Sequence, residues 1–236
     1  MGATQGGSRL PGSVDRYDPV AVGTGAPAIP TPLMSGLDVD FAGFVRDARV
    51  SQAIRPLIQH GTMSRINGIV VHQTGGSTAR SSLDSYLRPG ASGAHFLIDK
   101  DGTVFQTASV YRVTHHVGHL KPRCRVEMSC TPAQTRALAG KRVGAGIGRV
   151  EAAKPWPDRY PGNADALGIE FVGAVAPKLG GGANDFEYEG VTPAQQAAFY
   201  WLLPRLLAHF GVRATEVYRH PEVSWKQPSE AASVRW

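Results

Sequence analysis

The spacing of apolar residues changes several times along the chain, and each change marks an element. In "LDVDFAGFVRDARVSQAIRPLI", Phe41, Phe44, Val45, Val50, Ile54, Leu57 and Ile58 recur at helical intervals, with Pro56 perturbing the second part. This spacing predicts one or two short helices, a helical lead-in over residues 37–63. "INGIVVHQT" is a β-branched run closed by Gly75-Gly76 and predicts a buried strand ending near His72. "TARSSLDSYLRPG" reads as a short helix stopped by Pro89-Gly90. "AHFLIDKDGTVFQ" reads as a hairpin around Asp101-Gly102, a dipeptide that accepts the positive φ of a tight turn. "ALGIEFVGAV" is a further strand, apolar except at Glu170, and "EVYRH" a last short one ending at His220. The clearest helix is "TPAQQAAFYWLLPRLLAHFG", with Thr192 as N-cap, Pro193 at the first helical position and Gly211 as stop. Phe199, Leu202, Leu203, Leu206, Leu207 and Phe210 make one apolar face, and Pro204 is expected to kink it. Strands separated by helices predict an α/β fold, a central mixed β-sheet flanked by helices, without internal repeats.

At 236 residues the chain accommodates one well-buried domain and an extension. Residues 1–36 are rich in Gly, Pro, Ser and Thr and poor in large apolar side chains, so a flexible N-terminal arm is expected there. The domain proper is expected over 64–236. A formal charge of +6 favours an anionic partner. The Lys and Arg residues read as scattered, with no run of five like charges, so nucleic acid is not the expected partner; strong salt dependence of DNA binding would be its signature. No basic segment followed by an apolar one opens the chain and no 18 apolar residues run together. The expectation is a soluble protein made in the cytoplasm without a cleavable signal and without membrane insertion. Cys124 and Cys130 lack a second pair, which excludes a four-cysteine zinc site and leaves either a small-loop disulfide or two thiols.

Two histidines stand out chemically. His72 and His220 each follow an apolar strand and precede a Gly, Ser or Pro-containing loop, a placement suited to holding ligands on rigid supports. "THHVGH" adds His115, His116 and His119. Neutral imidazole suits zinc, and a catalytic zinc takes three protein ligands and leaves one position open. Glu170 is the second signal: a carboxylate in an apolar strand needs a partner, or its pKa rises and it becomes a candidate general base.

In order, "IVVHQTGGST", "SGAHFLIDKDGTVFQ", "HHVG", "NADALGIEFVG", "TPAQQAAFYWLLPRLL" and "YRHPEVSWK" resemble the zinc-dependent N-acetylmuramoyl-L-alanine amidases of the amidase-2 group, relatives of peptidoglycan recognition proteins and of phage lysozyme-type amidases. The resemblance covers residues 64–236. It implies a Zn2+ in a surface groove, peptidoglycan as partner, and hydrolysis of the amide joining the lactyl group of N-acetylmuramic acid to L-Ala. It further implies that His72 and His220 are zinc ligands and that Glu170, in Gly-Ile-Glu, is the catalytic glutamate. Other members carry a tyrosine before the hairpin histidine; here Ala94 precedes His95, so Glu170 must supply the base. His116 matches a histidine lining the substrate groove, with His115 in place of a tryptophan, and His95 and Asn163 are further expected substrate contacts. Lys226 resembles the lysine that stabilises the developing oxyanion.

One departure from the family pattern concerns the third ligand, whose usual place is Pro228, a residue without a ligand atom. Glu230 is the nearest carboxylate and is expected to bind instead, Glu oxygen being equivalent to Asp oxygen at zinc; Ser229 is a poor ligand. Without a third ligand the domain would be a non-catalytic muropeptide-binding module, the alternative reading. The segment 120–160 is longer than a simple hydrolase needs. It is expected to narrow substrate choice, to meet an immunity protein, or to be plain surface elaboration. The biological expectation is a type VI secretion effector acting in the periplasm or cell wall of a target cell, ahead of a phage lysin or a cytosolic recycling enzyme.

Overall fold

The computed structural model describes residues 36–236, so the expected arm lies, apart from its last residue, outside the described residues. Residues 37–63 depart from expectation: they hold a strand, β1 (Val50–Gln52), and a 3-10 turn over Pro56–Ile58, and no α-helix. Two residues break the helical spacing. Gly43 turns the chain at φ +86°, where a Cβ would lie 2.2 Å from Ser109 Oγ, and Pro56 opens the 3-10 turn. Pairing with the sheet edge then outweighs weak helix propensity. The remaining elements are β2 (Gly68–Gly75), α1 (Ala79–Ser85), β3 (Phe96–Ile98), β4 (Val104–Gln106), α2 (Arg123–Val126), α3 (Pro132–Leu138), α4 (Ala145–Ala152), β5 (Ala166–Pro177), β6 (Phe186–Tyr188), α5 (Pro193–Phe210), a second 3-10 turn over Ala214–Glu216, β7 (Val217–Arg219) and α6 (His220–Val223).

Six strands lie in the order β1-β4-β3-β5-β2-β7, and β6 pairs with the outer end of β5. The β3–β4 hairpin and the β5–β6 pair are antiparallel; the other pairs are parallel, which makes the expected mixed sheet. Strands β2 and β5 read as apolar on both sides because both faces are covered. Ile69 and Val71 of β2 and Leu167, Ile169 and Phe171 of β5 pack on one face with Phe199, Leu202, Leu203 and Leu206 of α5. Burying each of these four helix side chains stabilises the fold by roughly 2 kcal/mol. The helix begins in a capping box of Thr192 with Gln195 and ends at Gly211 in the left-handed conformation, as its sequence signals require. It runs through Pro204 without interruption.

On the other face Val70 and Ala166 pack with Val117, Leu120, Tyr160 and Val223. The segment 120–160 folds as α2, α3 and α4 on this side. Cys124 and Cys130 are joined in a disulfide, and Cys124, Leu138 and Ile147 form a small core of their own with Trp225 packed against it.

Candidate metal centre

Register places the chemistry. Parallel pairing sets His72 of β2 directly beside Glu170 of β5, and Val71 beside Arg219 of β7, so His220, the next residue, comes level with His72. His72 lies inside its strand, which continues to Gly75, whereas His220 opens α6 immediately after β7. Because alternate residues share a face, His72 and Glu170 both point away from α5. Together with His116, Tyr188, Lys226 and Glu230 they line a groove of about 400 Å³. A separate cavity of about 360 Å³, lined by Met63, Arg65, Trp156 and Phe210 among others, contains none of these groups.

Hydrogen-bond accounting identifies what the cluster lacks. His220 Nε2 lies 2.9 Å from the Val117 carbonyl oxygen, which can only accept, so the proton of the neutral ring sits on Nε2 and Nδ1 carries a lone pair. His116 Nε2 likewise donates to the Ala166 carbonyl at 3.1 Å, which leaves His116 Nδ1 to accept from His72 Nε2 at 2.9 Å. His72 Nδ1 therefore also carries a lone pair. Yet His72 Nδ1 and His220 Nδ1 are 2.9 Å apart, and Glu230 Oε1 is 2.9 Å from the latter and 3.5 Å from the former. Three lone pairs converge with no proton to share.

A metal cation satisfies that arrangement. Zinc bonds of 2.0–2.2 Å in a tetrahedron separate ligand atoms by roughly 3.3 Å, close to the spacings here. All three residues are buried, and among the described residues this is the one His, Cys, Asp and Glu cluster with metal-ligand spacing. Burial, with His220 adding to it, lowers the His72 pKa to about 4, which keeps the ring neutral. Burial alone would raise the Glu230 pKa, but the two histidines outweigh it and hold it down to about 2. Both states are the ones a metal needs. Glu230, the carboxylate expected to replace the ligand missing at Pro228, thus lies beside both histidines. Its turn is fixed from β2: Gln73 Oε1 accepts from Ala231 N–H at 2.9 Å, while Gln73 Nε2 donates to the Glu189 carbonyl.

Glu170 is held by a partner that sequence reasoning missed. Tyr86, at the end of α1, donates its hydroxyl hydrogen bond to Glu170 Oε2. No local pattern marks Tyr86, since its partner is 84 residues away. Burial raises the Glu170 pKa above its ordinary value, with the Tyr86 hydrogen bond opposing it. Lys226 is exposed at the groove, near enough for its charge to act on both His72 and Glu170.

Of three expected substrate contacts, His95 lies away from the groove, and Asn163 and His116 lie at it with polar atoms engaged by the protein itself. His95 is fully buried and lines no part of the groove; it accepts from Gly168 N–H at Nδ1 and lies 2.9 Å from the Arg112 carbonyl at Nε2, so it braces the sheet from within. Asn163 lies at the groove, but its Oδ1 accepts from the backbone N–H groups of His116 and Val117 and so shapes the loop that holds the histidines. His116 borders the groove too, and its bond to His72 fixes the ring of that candidate ligand. His115, at the family's tryptophan position, stacks on His60 with ring centroids 3.8 Å apart. Gly168 is needed beneath His116, because a Cβ there would meet His116 Nδ1 at 2.8 Å. Gly168→Ala is expected to displace that ring and weaken zinc binding by about 10–100-fold, read by competition with a chromophoric chelator. Unchanged affinity would mean that His116 does not orient His72.

Among solved structures, the chain is similar to an N-acetylmuramoyl-L-alanine amidase endolysin, LysCS, from Clostridium intestinale URNW, at 17% identity and a TM-score of 0.40, with 77% of this chain and 86% of that one covered. It is also similar to AmpDh3 from Pseudomonas aeruginosa in complex with anhydromuramic pentapeptide, at 16% identity and a TM-score of 0.44, with 79% of this chain and 58% of that one covered. A selenomethionine AmpD derivative aligns at 15% identity and 0.47, covering 81% and 93%. No curated protein matches at a comparable level. Residues 62–232, most of the described chain and all three candidate ligands, match the family described as N-acetylmuramoyl-L-alanine amidase, and the chain belongs to that family.

Proposed function

We propose that this protein hydrolyses the amide between the lactyl group of N-acetylmuramic acid and L-Ala of the peptidoglycan stem peptide. The observation that carries the proposal is the convergence of three unprotonated ligand atoms beside a partly buried carboxylate on the adjoining strand. When bound, zinc supplies Lewis acidity, which acidifies a water and polarises the scissile carbonyl. Tyr86 occupies Glu170 Oε2, which leaves Oε1 to take the water's proton. As the carbon–nitrogen bond breaks, Glu170 passes that proton to the departing amine of L-Ala. Lys226 places a positive charge at the groove to stabilise the developing oxyanion. Glu230 beside the two histidines favours this reading over a binding module without a third ligand.

Digestion of purified sacculi is the test. Free stem peptides and peptide-less glycan should appear with zinc and vanish with chelator, as read by mass analysis; intact sacculi under both conditions would sink the proposal. We further propose that the enzyme is an antibacterial effector or lysin that works in the periplasm or cell wall. The Cys124–Cys130 disulfide, a bond that persists in oxidising compartments, supports that location. Cells should lyse when the chain is directed to their periplasm and survive when it is kept in the cytosol; the reverse pattern would remove this role.

A further inference from the structure

The segment 120–160 is fastened to the part of the chain that carries His220. It holds nine of the 25 Lys and Arg against three of the 19 Asp and Glu, which corrects the even scatter expected from the absence of charge runs. Three of the nine reach across to the rest of the domain: Lys121 Nζ donates to the Pro221 carbonyl in α6, Arg123 pairs with Glu216 just ahead of β7, and Arg159 pairs with Asp165 just ahead of β5. The backbone is fastened as well. Leu120 and Ser224 form an antiparallel bridge, Lys121 N–H donates to the Val223 carbonyl at 2.7 Å, and Ser224 Oγ donates to the His119 carbonyl at 2.8 Å.

Immediately after this fastened stretch come two residues with different surroundings. The half-buried Trp225 packs against the core formed by Cys124, Leu138 and Ile147, whereas Lys226 is exposed and lines the catalytic groove. Among the described residues the Lys226 ammonium makes no ion pair, so its place is set by the backbone that bears it. On one side of that backbone stands the Trp225 indole; on the other, Gln227 makes an exposed hydrogen bond to the Asn184 carbonyl, a weaker hold than a packed aromatic ring. The core that receives the indole is too small to stand without a staple, and the Cys124–Cys130 disulfide closes it.

We propose that Trp225 is a positioning residue for Lys226 and that the disulfide-closed core of 120–160 is its seat, so that this segment serves turnover by aiming the ammonium into the groove. The proposal rests on the amidase reading, in which Lys226 meets the developing oxyanion. That charge exists only in the transition state, so a lysine set loose from its anchor costs kcat and spares KM. A segment that merely covered surface would leave both unchanged.

The test uses the full, zinc-loaded chain and compares wild type with Trp225→Ala, Trp225→Phe, Lys226→Met and the double variant Trp225→Ala/Lys226→Met. Turnover is measured on an N-acetylmuramoyl tripeptide, and hydrogen exchange at the Lys121 and Ser224 amides by NMR. Trp225→Ala should lower kcat about tenfold, leave KM within about twofold and keep its zinc, and Trp225→Phe should recover most of the loss. In the Lys226→Met background, adding Trp225→Ala should change kcat by less than about twofold, because the group it positions is already gone. The two amides should exchange about tenfold faster in Trp225→Ala than in wild type. Replacing Cys124 and Cys130 together by Ala should reproduce the kcat loss and its absence in Lys226→Met, and carries the comparison if Trp225→Ala does not fold. A Trp225→Ala that keeps wild-type kcat, or that costs as much in Lys226→Met as in wild type, overturns the positioning role. A wild type that cleaves nothing removes the amidase reading; the anchor then stands if exchange is faster in Trp225→Ala and falls if exchange is unchanged.

Discussion

His220→Ala should lose zinc and turnover together. The substitution removes one of three converging ligand atoms, and Val117 loses the ring that donates to its carbonyl. Disturbing a supporting group commonly costs 10–100-fold in metal affinity, so loss of a ligand itself should cost on the order of a hundredfold or more. Zinc at a thousand times its dissociation constant stabilises the native state by about 4 kcal/mol. Wild type should therefore melt higher with zinc than with chelator, and His220→Ala should show almost no difference between the two. Glu230→Ala is the sharper companion, because the family's usual ligand position is Pro228. If Glu230→Ala kept one zinc per chain after dialysis and melted with the wild-type zinc shift, the third ligand would lie elsewhere.

The second large effect concerns Glu170. Glu170→Gln preserves size and can still accept from Tyr86, but it cannot carry a proton, so kcat should fall by about 10²–10⁴ with zinc content unchanged. Burial raises the Glu170 pKa, with the Tyr86 hydrogen bond opposing it, so the active base form is present only above that raised pKa and wild-type activity should decline as pH drops through it. The substituted enzyme should lack that acid limb. The stability sign runs the other way. A carboxyl whose folded pKa exceeds its unfolded pKa favours folding at low pH and loses that contribution as pH rises through the raised value. In the zinc-free protein at neutral pH, Glu170→Gln should melt no lower than wild type. Equal kcat in the two proteins would remove Glu170 as the base.

Much of this arrangement is legible in the sequence, for identifiable reasons. The long helix α5 announces itself because Thr192, Pro193 and Gly211 bracket an apolar face. His72, His220 and Glu170 are visible because ionisable side chains in apolar strands are costly unless used. Glu230 follows from chemical need once Pro228 is seen to lack a ligand atom. The lead-in misreads because a helical spacing across Gly43 and Pro56 ignores what those residues do to the backbone. His95 and His116 cannot be told apart by pattern, since which of them is sealed in and which reaches the groove depends on how strands and loops stack. Tyr86 and Gln73 act on residues far away in sequence, and only tertiary contact reveals them.

The two kinds of ligand support have a kinetic consequence. His72 sits in β2, a strand flanked by β5 and β7 and paired with Glu170 at its own position, so its opening requires the sheet itself to come apart. Glu230 instead sits on a turn whose next residue, Ala231, adopts a left-handed φ of 56°, a conformation that costs an L-residue about 1 kcal/mol. That turn is fastened by Gln73 and by Arg219 bonds to the Ala231 and Val234 carbonyls. Metal exchange would then have a hinged door: ions would enter and leave through local release of this strap, at a rate set by its fastenings, while β2 and the β7–α6 junction, which carry His72 and His220, stay folded.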